Sequence, residues 1–138
     1  MKKTFALALG LTSFTAILMA QTAETAYFQG LMSPLNEVPA ISLTDFPGAA
    51  LGTVIAHVVR DSSGKIISGT ADFQVDYRVL AGGVNFTGLH IHKGAAGATG
   101  DIVIPTEVSA ANPVKDDASI GRVNKSVQVL ASNAAGLE

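Results

Sequence analysis

A strict alternation of apolar and polar residues between Thr70 and Val79 is the feature that most constrains the fold of this chain. Every second position is apolar, namely Ala71, Phe73, Val75, Tyr77 and Val79. Successive side chains of a β-strand point to opposite faces, so this pattern predicts a strand with one buried face and one face in water. No comparable helical periodicity occurs in the rest of the chain, which favours an all-β fold.

Several other segments have strand composition and are separated by turn-forming residues. Gly52 to Arg60 is rich in β-branched residues and apolar on both faces, which predicts a central or doubly covered strand. Asp61 to Gly64 forms a turn, so this strand and the alternating one should make a hairpin. The remaining predicted strands are Tyr27 to Met32, Val84 to Lys93, Ile102 to Ile104 and Ser119 to Ala131. A turn is expected at 81–83 and a polar connection at 112–118. Many short strands with turns between them predict an antiparallel β-sandwich or barrel.

The N-terminus has the three parts of a secretory signal peptide. Lys2 and Lys3 precede an uncharged, mostly apolar stretch from Phe5 to Met19, and small residues follow it. Residues 1–20 are therefore expected to be removed after Ala20, or alternatively after Ala23 and at the latest near residue 26. The stretch is short for a membrane span, so we expect export to the periplasm or beyond, with no stable span afterwards. An uncleaved N-terminal anchor is the alternative.

Charge and cysteine content exclude several classes of protein. Loss of Lys2 and Lys3 leaves 7 basic residues against 11 acidic ones, a formal net charge of −4. No basic patch is available for phosphates, so nucleic-acid binding is not expected. The chain has no cysteine, which excludes a disulfide scaffold and thiolate metal sites. Residues 27–138 are enough for one domain held together by its core.

Two stretches stand out as motifs. One is Leu35-Asn36-Glu37-Val38-Pro39, and the other runs from Gly88 through His90-Ile91-His92 and a Gly/Ala-rich loop to Ile104. With the alternating hairpin between them, these stretches resemble the chordin-type (CHRD) domain family over about Tyr27 to Leu130. The resemblance implies an immunoglobulin-like β domain, exported and without a catalytic residue set. The family usually ends in a further hairpin that is not found before Glu138, so we expect either that this member lacks the hairpin or that the sequence stops short of it.

The histidines are the candidate metal ligands. Residues i and i+2 of a strand share a face, so the imidazoles of His90 and His92 should point together while Leu89 and Ile91 point into the core. Two such imidazoles can hold copper or zinc, and His57 on the neighbouring hairpin could supply a third nitrogen. The alternative is structural: His90 and His92 hydrogen-bond the glycine-rich loop, and His57 faces solvent.

The remaining candidate residues belong to the motifs. Asn36, Glu37 and Pro39 lie in a segment that should be extended between two prolines, where the Glu37 carboxylate could bind backbone amides or meet a histidine. Gly94, Gly97 and Gly100 are expected to have structural roles in the loop. That loop lacks a following helix and a Gly-Lys-Ser/Thr sequence, so it is not a phosphate cradle.

Two functions therefore follow from the sequence. The first is an exported, non-enzymatic domain that binds an extracytoplasmic protein, a surface or a small ligand. The alternative is a copper- or zinc-binding protein with a His-x-His site.

Overall fold

A computed structural model of the chain describes residues 20–37, 39–44, 47–80, 82–95, 98, 100–134 and 137. The predicted signal segment before Ala20 lies outside the described residues. Within them, eight strands and one 3-10 turn at Pro34–Asn36 follow each other along the chain. The strands are β1 (Thr22–Met32), β2 (Gly48–Arg60), β3 (Ile66–Val79), β4 (Val84–Phe86), β5 (His90–Lys93), β6 (Asp101–Pro105), β7 (Val114–Asp116) and β8 (Ile120–Leu130). The all-β prediction is confirmed.

Four long strands form one antiparallel sheet in the order β1-β2-β3-β8. The pairing of β1 with β2 runs without a register shift from Thr22 opposite Arg60 to Met32 opposite Ala50. The β2–β3 hairpin turns where predicted, and Gly64 adopts the positive φ of 86° that glycine tolerates best. The prediction of a central position for the Gly52 to Arg60 segment is confirmed, since β2 lies between β1 and β3.

The core lies on one face of this sheet. The predicted alternation is confirmed, because the side chains of Ala71, Phe73, Val75, Tyr77 and Val79 are all buried. Two short antiparallel pairs, β4 with β7 and β5 with β6, supply the second layer. Residues Val84, Leu89, Ile104 and Val108 from that layer and its loops join the buried cluster. The layers form a sandwich with one long sheet and one short, divided sheet.

Several segments differ from the sequence predictions. β1 begins at Thr22 and β2 at Gly48, four to five residues earlier than expected. The expected strand from Val84 to Lys93 is interrupted, because residues 87–89 leave the ladder and the Leu89 carbonyl accepts from the Thr106 amide and hydroxyl. The predicted polar connection at 112–118 contains β7, which pairs with β4. A strand of three residues is too short to show an alternating pattern in the sequence. Asn36 lies in a 3-10 turn, whereas Glu37 is extended as predicted.

A hydrogen bond between the Tyr77 hydroxyl and the Asp116 carboxylate ties the long sheet to the second layer. Gly121, which pairs with Tyr77 on β8, makes room for this contact. A Cβ at Gly121 would lie 2.4 Å from the Tyr77 hydroxyl oxygen, closer than nonbonded atoms approach. Burial, and then the hydrogen bond to Asp116, raise the pKa of Tyr77 to about 12.

The N-terminal end of the sheet begins close to the predicted processing site. β1 starts at Thr22, and Glu24 within it pairs with Arg60 at 2.7 Å between Oε2 and Nε. In the part of the chain that the structure describes, no helix has the length and apolar character needed to cross a membrane.

The buried face of β3 leads to a first prediction. Phe73 is 3% exposed, so Phe73→Ala should lower the free energy of unfolding by about 3–5 kcal/mol through lost burial and a residual cavity. Asp72→Ala, on the opposite face of the same strand, is the matched control and should change it by less than about 0.5 kcal/mol. Urea unfolding of the three proteins measures both values. Comparable losses in the two variants would contradict the face assignment.

A second prediction concerns the ionisation of Tyr77. In the variant Tyr27→Phe, which leaves Tyr77 as the sole tyrosine, an ultraviolet absorbance titration should give a phenol pKa of about 12. Because folding favours the neutral phenol, its contribution to stability is complete below the unfolded pKa of about 10 and is lost as the pH rises through about 12. Adding Asp116→Ala should move the titration back towards 10. A pKa near 10 without that second substitution would contradict the assignment.

Candidate functional site

The two histidines of β5 lie side by side, as predicted. Leu89 is buried and Ile91 packs against the core, while the rings of His90 and His92 contact each other with centroids 4.6 Å apart and planes at 77°. The two rings lie on the same face although the β5–β6 register shifts between Ile91 and His92, where β6 contains one extra residue. Two imidazoles this close can both reach one ion through a nitrogen at about 2.0–2.1 Å.

His92 is held by the loop that follows it. Its Nδ1 lies 2.6 Å from the carbonyl oxygen of Gly100 and donates to it, because a carbonyl oxygen can only accept. In a neutral imidazole this tautomer has its lone pair on Nε2. Gly100 lies at the neck of the loop, where the two ends of the loop come together. A Cβ at residue 100 would lie 1.8 Å from the Lys93 carbonyl oxygen. Glycine is therefore required at residue 100, and the predicted loop-fastening role of a histidine is confirmed for His92. Gly94 is exposed beside this neck, and Gly97 lies outside the described residues.

His90 is half-buried beside the long sheet. Burial is the first cause that lowers its pKa and the neighbouring His92 is the second, while the Glu37 carboxylate opposes both. The N-terminal motif and the histidine motif therefore lie in the same region of the fold. Ser33 caps the 3-10 turn before Glu37, and the Asn36 amide donates to the Leu31 carbonyl at 3.2 Å. Pro39 is exposed.

His57 lies in a different environment from the β5 pair. On β2 its Nδ1 is 3.0 Å from the Thr25 hydroxyl oxygen, and its Nε2 is 3.7 Å from Asp72 Oδ2. Asp72 belongs to the polar face of β3, opposite the buried Phe73, so His57 faces solvent on the outer side of the sheet. The structure does not bring His57 to His90 and His92. Among the described residues, no group of three or more histidine, aspartate or glutamate side chains is arranged to hold a metal ion.

Sequence reasoning missed an exposed apolar surface on β1. We call it the β1 apolar edge, and it consists of Tyr27, Phe28, Leu31 and Met32. Tyr27 is 72% exposed, Leu31 69%, Phe28 48% and Met32 42%. The sequence did contain an indication of this surface. Two adjacent pairs of large apolar residues place apolar side chains on both faces of β1, and only one of these faces turns towards the core.

A cavity of about 270 Å³ opens beside this edge. Phe28 and Met32 form one wall, and Leu89, His90 and Ile91 form the opposite wall. A second cavity of about 390 Å³ shares Met32 with the first and contains Glu37, Tyr77 and Phe86. The β1 apolar edge is therefore continuous with two mostly apolar depressions, and His90 and Glu37 lie at their borders.

Comparison with known proteins gives one result. The model of the CHRD domain family matches residues 28–137. No curated protein and no solved structure matches the chain. The matched region includes both motifs, all of β2 to β8 and the last five residues of β1.

Proposed function

The chain belongs to the CHRD domain family, and from this membership and the geometry we propose that it is an exported, non-enzymatic binding domain that engages an extracytoplasmic partner through the β1 apolar edge. CHRD domains are extracellular β domains and in general have no enzymatic activity. The periplasm or the exterior of the cell is the compartment that the predicted signal peptide favours.

The exposure of the β1 apolar edge is the observation that carries this proposal. Soluble proteins usually protect an edge strand with charges, proline, a bulge or a covering segment, because its free amides and carbonyls pair with other chains. β1 has a single charged residue, Glu24, and that carboxylate is engaged by Arg60. The strand also contains no proline and no register shift against β2. A partner in extended conformation would find both backbone hydrogen-bonding groups and apolar side chains here.

The adjoining cavity supports the same surface. Its walls at Phe28, Met32 and Leu89 are apolar, and it opens beside the edge strand, so it has room for a side chain of the bound partner. A partner strand would contribute affinity through its main chain and specificity through the side chain placed in this cavity.

Site-specific photo-crosslinking in the producing cells tests the proposal. A photoreactive phenylalanine analogue at position 27 should give a discrete cross-linked product, because Tyr27 is the most exposed residue of the β1 apolar edge. The same analogue in place of Ile120, which is 63% exposed on the opposite edge strand β8, is the matched control and should give none. No product from position 27, or equal products from both positions, would contradict the proposed surface.

A second candidate function is copper or zinc binding by His90 and His92. The hydrogen bond from His92 Nδ1 to Gly100 favours it, since metal-bound histidines commonly donate their other nitrogen to a carbonyl, which leaves Nε2 free for the ion.

Calorimetric titration with copper(II) and zinc tests this second function. We expect saturable binding at pH 7.5, lost in His90→Ala and in His92→Ala, and weaker at pH 5.5 because protons compete for the imidazole nitrogens. His57→Ala is the control and should bind like the parent, because His57 lies on the other face of the sheet. Absence of saturable binding by the parent, or equal loss in His57→Ala, would refute a site at His90 and His92.

A further inference from the structure

We propose that the β1 apolar edge of one molecule pairs with the same edge of a second copy, antiparallel about a two-fold axis at Tyr27, to give a continuous eight-stranded sheet. This inference rests on the proposed function, because it identifies the partner of the same strand.

The position of Tyr27 makes the pairing complete. β1 has 11 residues from Thr22 to Met32, and Tyr27 is its midpoint. An antiparallel pair centred there uses every residue of both strands and leaves no overhang. Two protomers related in this way keep their core faces on the same side of the joined sheet, because the axis is perpendicular to the sheet.

The side chains are complementary in this register. Apart from Tyr27, which meets its own copy at the axis, each large residue meets a smaller one, and no like charges are opposite each other. The pairs are Thr22 with Met32, Ala23 with Leu31, Glu24 with Gly30, Thr25 with Gln29, Ala26 with Phe28, and Tyr27 with itself.

The most exposed residues lie at the centre of this pairing. The two Tyr27 rings would be directly opposite on the outer face, with Cβ atoms about 4.5–5.5 Å apart. The two Phe28 rings would be diagonal neighbours on the core face at about 7–8 Å, a separation that aromatic side chains bridge. Phe28 and Met32 are the core-face members of the β1 apolar edge, and the short second layer leaves both more than 40% exposed. A second copy would cover these two side chains, which the short second layer leaves exposed.

The expected interface is small. Eleven residues at about 3.4 Å each give a strip about 37 Å long, and a width of about 10 Å makes roughly 400 Å² per protomer. Standard protein interfaces bury about 800 Å² per partner, so the dimer should dissociate at micromolar concentrations. We therefore expect a concentration-dependent equilibrium and not a permanent dimer.

Analytical ultracentrifugation of the purified mature protein, from about 1 µM to about 1 mM, tests the proposal. The parent should pass from monomer to dimer over this range. Tyr27→Lys and Tyr27→Glu should each remain monomeric, because each places two like charges opposite one another at the axis. An equimolar mixture of the two variants should dimerise again, because the charges are then opposite in sign. Ile120→Lys, which introduces the same charge on β8, is the control and should dimerise like the parent.

Several results would overturn the inference. These are a parent that stays monomeric at about 1 mM, a dimer that survives Tyr27→Lys, loss of the dimer in Ile120→Lys, or a mixture of the lysine and glutamate variants that stays monomeric. Circular dichroism identical to that of the parent establishes that the variants are folded, as the exposure of Tyr27 leads us to expect. A monomeric parent whose position 27 cross-links a different protein in cells would remove the second copy and leave the proposed function standing.

Discussion

The buried face of β3 is the constraint on which the rest of this structure depends. It offers six side chains to the interior and none of them is charged, so it must be covered on that face and paired on both edges. β2 and β8 provide the pairing, and the short strands from 84 to 116 provide the cover. Among the buried side chains of β3, only that of Tyr77 has a polar group. Its hydroxyl donates to the Asp116 carboxylate, and the lack of a side chain at Gly121 leaves room for it.

The shortness of the second layer explains where the candidate site lies. β4, β5, β6 and β7 have three to five residues each, whereas the strands of the main sheet have 11 to 14. The small layer covers the centre of the large sheet and leaves Phe28 and Met32, on the core face of β1, partly in water. Tyr27 and Leu31 lie on the opposite face of the same strand, which turns away from this layer. His90 and Glu37 line the cavities beside the core-face residues.

Sequence patterns predicted the features that depend on one strand at a time. The alternation at Ala71 to Val79, the turn at Gly64 and the shared face of His90 and His92 follow from the two-residue period of a strand and from local turn geometry. Features that depend on which strands meet could not be read in this way. The residues around Val114 in the sequence do not indicate its pairing with Phe86. Likewise, the residues around His57 do not show that it lies on the opposite face of the sheet from His90. The exposure of Phe28 likewise depends on how far the second layer extends, which is set by residues more than fifty positions away.

The order of strands in the large sheet also bears on how the chain folds. β2 and β3 are joined by five residues and can pair early, but the β3–β8 ladder joins Arg78 to Ile120 and Ser68 to Leu130. Closing such distant contacts costs chain entropy before it is rewarded, so we expect the docking of β8 to be slow. Until β8 docks, β3 has a free edge at the opposite side of the sheet from β1. If the chain is translocated N-terminus first, as the predicted signal peptide implies, we expect its risk of aggregation to depend on how quickly residues 120–130 arrive.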